Sequence, residues 1–155
     1  MKNTLSIVIL SMALLFGGCA SLQLQPVDFS WPAEEILDIS SDGMVMARQY
    51  NAGFNVKPLL SKEFASDSMS AKNATVVRVI RDKAGFYYIT APKFKNVYVF
   101  QHADGALSLS NTISISQEKA MDDPKFNQRN TYIELLNNGA KVQLTKGGIQ
   151  QGGAK

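Results

Sequence analysis

The chain has 155 residues, 45% of them hydrophobic and 19% charged, with 16 basic against 13 acidic side chains and a formal net charge of +3. One Cys and one His exclude an intramolecular disulfide framework, a Cys-rich zinc site and a His-based multi-ligand metal site. The length suits a single globular domain, and the composition is not that of a disordered, collagen-like or polytopic membrane chain.

The chain opens on a short positive start, Met1-Lys2-Asn3. An almost wholly apolar run from Leu5 to Phe16 follows, broken only by Ser6 and Ser11. As a helix these twelve residues cover roughly 18 Å, short of the ~30 Å hydrocarbon core, so the run fits the apolar region of a signal peptide better than a membrane span. Small residues come next: Gly17-Gly18-Cys19-Ala20-Ser21.

Leu15-Phe16-Gly17-Gly18-Cys19 resembles the lipobox of bacterial lipoproteins. The resemblance covers the start of the chain, residues 1–21, and departs from the class at Phe16, where an aliphatic side chain is preferred. It implies a diacylglyceryl group on the Cys19 sulfur, cleavage after Gly18 and acylation of the new amino terminus. Each buried CH₂ of such chains contributes about 0.8 kcal/mol, and two or three chains hold a protein stably on a membrane. Ala20, standing where Asp would signal inner-membrane retention, implies the outer membrane in a Gram-negative host. Residues 1–18 are then the signal peptide, and loss of Lys2 lowers the charge from +3 to +2. That is too small a charge to point to a polyanionic partner.

Residues 19–26 read as a short tether, residues 27–146 as one β-domain and residues 147–155 as a flexible Gly-rich tail. Ile36–Ile39 and Met44–Ala47 form the first expected hairpin, joined by Ser40-Ser41-Asp42-Gly43. Pro58 to Phe64 suits two helical turns, with Pro58 at the first helical position. Thr75–Arg81, Phe86–Thr90 and Val97–His102 are β-branched and aromatic runs separated by turn residues.

Leu107 to Ile115 alternates strictly, with Leu107, Leu109, Ile113 and Ile115 on one face and hydroxyl side chains on the other. Ser116–Asn130 is polar and reads as a long loop. Thr131–Leu136 and Ala140–Thr145 flank Asn138-Gly139, the preferred pair for a type I′ turn. The fold class expected is all-β: an antiparallel meander forming a small sandwich or barrel of about eight strands, with little helix.

Candidate chemistry is thin. His102 ends a strand without a partner at fixed spacing, which makes it a solvent-facing residue. Glu34-Glu35 would point to opposite faces of a strand and reads as surface charge. Asp122-Asp123 lacks the spaced pattern of a calcium loop, and Asp42, Asp82 and Asp104 sit near glycines as turn formers. There is no G-x-S-x-G motif and no Cys besides Cys19. No catalytic set, metal or cofactor is therefore expected.

The aromatics offer more. Tyr87, Tyr88, Phe94 and Tyr98, flanked by Arg78, Arg81, Lys93 and Lys95, form a possible binding surface for sugars or peptides. Nucleic acid is improbable outside the cytoplasm. The competing reading packs both faces of these strands between two sheets, with Trp31 as a core plug.

The functional expectation is a lipid-anchored cell-envelope protein whose β-domain is a non-catalytic binding or assembly module for an envelope protein or glycan. Two alternatives stay open. One is an envelope hydrolase with a Ser or carboxylate site. The other is an inhibitor of an envelope-directed enzyme, acting through the Ser116–Asn130 loop.

Overall fold

The period-two stretches do fold as strands. The computed structural model describes residues 33–49, 51–65 and 67–150, and within them it is an all-β protein with two short helices. The signal peptide, Cys19, the tether, Trp31 and residues 151–155 lie outside the described residues.

A five-stranded antiparallel sheet forms the middle of the fold, in the order β1 (Glu35–Asp38), β4 (Val76–Arg81), β5 (Tyr87–Thr90), β6 (Asn96–Ala103), β7 (Ala106–Ser114). From β4 to β7 it is the expected meander. The Asp104-Gly105 turn between β6 and β7 has φ of 49° and 78°, which its two residue types tolerate. A second sheet of four strands follows the order β11 (Gly148–Gln150), β10 (Ala140–Thr145), β9 (Ile133–Asn137), β8 (Lys125–Gln128). Its β9–β10 turn is the expected Asn138-Gly139 pair, at φ 49° and 81°. A two-stranded ribbon of β2 (Met44–Ala47) and β3 (Ala52–Asn55) completes the strands, and the sheets do not close into a barrel.

Register assigns the two faces of the middle sheet, because directly paired residues share a face. Val79, Ile89, Tyr98 and Thr112 form one row; Ile80, Tyr88, Val99 and Asn111 form another on the opposite side. The first face carries the β2–β3 ribbon and helix α1 (Lys57–Glu63): Glu35 Oε1 accepts the Arg48 N–H, and Lys62 Nζ reaches Thr112 Oγ1. The opposite face carries the four-stranded sheet: Arg78 bonds Asp123, and Asn111 Nδ2 donates to the Lys146 carbonyl. The result is three layers with one continuous core. All four residues of β5 are buried as a consequence, since this central strand is covered on both sides.

The helices are locally determined. α1 begins one residue earlier than expected, at Lys57, and Pro58 is its second residue, within the first turn, where a fixed φ and a missing N–H are tolerated. Asp67 caps α2 (Ser68–Asn73) by accepting the Met69 and Ser70 N–H groups.

Four expectations about local structure are corrected. The Ser40–Gly43 turn forms, with Ser40 N–H bonded to the Met44 carbonyl, but β1 and β2 do not pair. The chain uses that turn to pass from the middle sheet to the outer ribbon. β1 instead pairs with the longer, β-branched β4, which sets Leu37 opposite Val77 in the core. Ser116–Asn130 is not a continuous loop: Met121 is buried, its backbone bonds Lys93 and Phe94, and Lys125–Gln128 is strand β8. The Gly-rich tail begins as strand β11 on the edge of β10. With β3, these additions raise the expected eight or so strands to eleven among the described residues.

The fourth correction concerns β7. Val99 pairs with Asn111 and Phe100 with Leu109, so Ser110 is an extra residue in a β-bulge. Alternation changes phase there. Ile113 stays on the covered face and is buried, whereas Leu109 turns to the other side and is 49% exposed.

Candidate functional site

The four aromatic residues expected to form a surface are core residues. Tyr87, Tyr88, Phe94 and Tyr98 are 7%, 1%, 0% and 0% exposed, because both faces of β5 and β6 are covered. Phe94 lies in the β5–β6 connection, where Lys93 at φ 70° turns the chain and tucks the ring inward. It meets Phe64 and Tyr98 edge-on at ring-centroid distances of 5.7 and 6.1 Å. Burial raises the phenol pKa of both Tyr88 and Tyr98, reinforced by Asp82 and Glu63 respectively, so both stay protonated as hydrogen-bond donors. Tyr88 donates to Asp82 Oδ2 at 3.1 Å and Tyr98 to Glu63 Oε1 at 2.9 Å. Their hydroxyls serve the interior.

Of the basic residues flanking them, Arg78 is also turned inward. Its Nη1 donates to Glu34 Oε2 at 2.8 Å and its Nη2 to Asp123 Oδ1 at 3.1 Å. Glu34 is therefore not surface charge. Its side chain is 14% exposed, and its Oε1 accepts the Phe126 N–H of β8. Burial raises its carboxyl above the ordinary glutamate range, against the pull of the Phe126 N–H and the Arg78 charge. Adjacent Glu35 faces the other layer, where its Oε1 holds Arg48, so the two carboxylates separate as strand geometry requires.

Asp122 and Asp123 do not converge on a cation position. Asp122 pairs with Lys93 and accepts from Asn138; Asp123 pairs with Arg78 and Lys125. Hydrogen bonds from Lys93 and Asn138 lower the Asp122 carboxyl, and the Lys125 contact lowers that of Asp123. Among the described residues, no three His, Cys, Asp or Glu side chains gather as a metal site. His102 is exposed at the end of β6, opposite Leu107.

Two shallow clefts flank α2, and reasoning from sequence identified neither. One, of about 380 Å³, lies between the Ser40–Gly43 turn and the helices, with Lys57, Lys72, Ser41 and Ser61 on its walls. The other, of about 290 Å³, is bounded by Phe64, Ser70, Asn73, Thr75 and Lys93. Both are near the lower limit of size for a small-molecule pocket. Their linings hold hydroxyls and ammonium groups but no carboxylate or imidazole to activate a hydroxyl. An S-x-x-K spacing at Ser116 and Lys119 also escaped the sequence reading. In the structure it makes a turn, with the Lys119 N–H donating to Ser116 Oγ at 3.0 Å, and it is not on a helix.

No family model, curated protein or solved structure matches the chain. Chemistry must therefore be argued from these side chains alone. Among the described residues, no helix is long and apolar enough to cross a membrane.

Proposed function

We propose that this protein is a lipid-anchored component of a bacterial cell envelope, held through Cys19, with its β-domain acting as a non-catalytic binding or assembly module. In a Gram-negative host its place is the outer membrane, and its partner is an envelope protein or glycan. The lipobox-like start supports the anchor. The observation that carries the non-catalytic reading is how the inner carboxylates are used. Glu34 joins β4 to β8 through Arg78 and Phe126, and Glu63 joins α1 to β6 through Tyr98 and Asn96. Groups suited to acid–base work are engaged in holding layers together, which leaves the outer faces of the layers for recognition.

Two measurements test this. Mass spectrometry of the amino-terminal peptide should find Cys19 acylated, and Cys19→Ser should move the protein from the membrane to the soluble fraction. An unmodified Cys19 and unchanged detergent partitioning would refute the anchor. Crosslinking in intact envelopes should recover one reproducible protein or glycan partner. Stoichiometric labelling by a serine-directed fluorophosphonate would favour the hydrolase alternative instead.

A further inference from the structure

The β2–β3 ribbon shows an apolar outer face next to the point where the described chain begins. Along β2, Val45 and Ala47 are buried while Met44 and Met46 are 38% and 60% exposed, so the two methionines share the side turned away from the core. Met46 lies along Gly53 of the paired strand. A Cβ placed on Gly53 would come within 3.2 Å of the Met46 methyl, so the absent side chain gives the thioether room to lie flat. Exposed Arg48 follows at one end of this face.

The ribbon is also fastened to the entry of the chain. Gln49 Nε2 donates to the Ala33 carbonyl at 2.7 Å, and the Arg48 N–H donates to Glu35 Oε1 at 2.8 Å. Thirteen residues lie between Cys19 and Ala33, which limits the link to about 50 Å even at full extension. An anchor at Cys19 is thus joined to the fold beside the ribbon, at no more than that distance.

From this placement we infer that the outer face of the β2–β3 ribbon, Met44 and Met46 with Arg48, rests on the phospholipid surface. The inference rests on the lipid anchor proposed above. The chemistry suits an interface: flexible thioethers enter the acyl boundary, while the long basic Arg48 side chain keeps its charge among the phosphates. The domain would then stand with β7 on the far side of the middle sheet, four strand spacings or about 19 Å from β1.

Acylated full-length protein in vesicles of phosphatidylethanolamine and phosphatidylglycerol provides the test. With Cys19 consumed by lipid, Met46→Cys and Met44→Cys each give a single thiol for an environment-sensitive fluorophore, and Ser108→Cys on β7 gives the control. The expected result is blue-shifted emission at positions 44 and 46 that is quenched by brominated lipid, with neither effect at 108. If acylation is confirmed but positions 44 and 46 behave like 108, the surface is overturned and the anchor survives. Blue-shifted emission that ignores brominated lipid overturns it too, in favour of cover by protein. Absence of acyl mass on Cys19 removes the anchor itself, an outcome visible before any fluorescence is read.

Discussion

Arg78 and Glu34 stand 44 residues apart in the chain and 2.8 Å apart in space, with 11% and 14% of their side chains exposed. The pair ties the segment leading into β1 to β4, and the second oxygen of Glu34 extends the tie to β8. One carboxylate thereby links two sheets.

Breaking that pair on one side should be costly. Arg78→Met leaves Glu34 buried beside an apolar side chain and is expected to cost about 3 kcal/mol, because a buried charge loses its counter-ion. Pairing Arg78→Met with Glu34→Gln should restore part of the loss. Urea midpoints of the two single variants and the double variant check this. A loss below about 1 kcal/mol for Arg78→Met would mean that solvent reaches the pair as it does at a surface salt bridge.

Glu34 also gives a pH dependence of known sign. Burial sets its folded pKa above the unfolded value near 4.5. Stability from such a group is fully present below the unfolded value and is lost as pH rises through the folded value. Relative to Glu34→Gln, the natural protein should gain stability as pH falls from neutral toward 4.5. Paired denaturation curves across that range measure it, and a relative loss on acidification would contradict the burial argument.

Glu63 fastens the outer helix to the middle sheet by accepting from Tyr98, Asn96 and the Lys95 N–H. Tyr98→Phe removes one of these bonds and should cost about 1 kcal/mol. Glu63→Leu leaves all three donors unsatisfied and should cost at least about 2 kcal/mol, with faster amide exchange in α1 than in β6. Equal effects of the two variants would show that Glu63 does not act as a three-way clamp.

The bulge in β7 is tested by two aliphatic truncations. Ile113→Ala removes a buried side chain and should cost about 2–4 kcal/mol. Leu109→Ala, four residues earlier, should change stability by less than about 1 kcal/mol, since that side chain is half exposed. Similar costs would restore unbroken alternation along the strand.

Turn geometry separates two glycines of the second sheet. Gly139 has φ 81° with no atom near a would-be Cβ, so Gly139→Ala should cost about 1–2 kcal/mol from backbone conformation alone. Gly147 lies outside the left-handed region, and its nearest neighbour is Thr145 Oγ1 at 3.8 Å. Gly147→Ala should therefore stay within about 0.5 kcal/mol of the natural protein. Thermal unfolding of the two variants side by side decides the matter.

What could be read without coordinates was local. Alternation and turn residues identified β4 to β7, the Asn138-Gly139 hairpin and the Pro58 helix, because each depends on side-chain periodicity or on backbone torsions intrinsic to Gly, Asn, Asp and Pro. The lipobox-like start is also a local pattern, and it carries the anchor proposed at Cys19.

The third layer was decided elsewhere. Nothing near Ile36–Ala47 says that β1 leaves its hairpin partner for β4 across 37 or more intervening residues, nor that the polar stretch after Ser116 supplies β8. The same event buried Tyr87, Tyr88, Phe94 and Tyr98, which sequence could place on two faces without saying that both would be covered. It also turned Glu34 from an exposed charge into a buried tie. The sequence by itself determined where eight of the eleven described strands and the turns beside them lie, through interactions within a few residues. Only tertiary structure decided which faces meet, because burial of apolar area rewards whichever distant partner covers most of it.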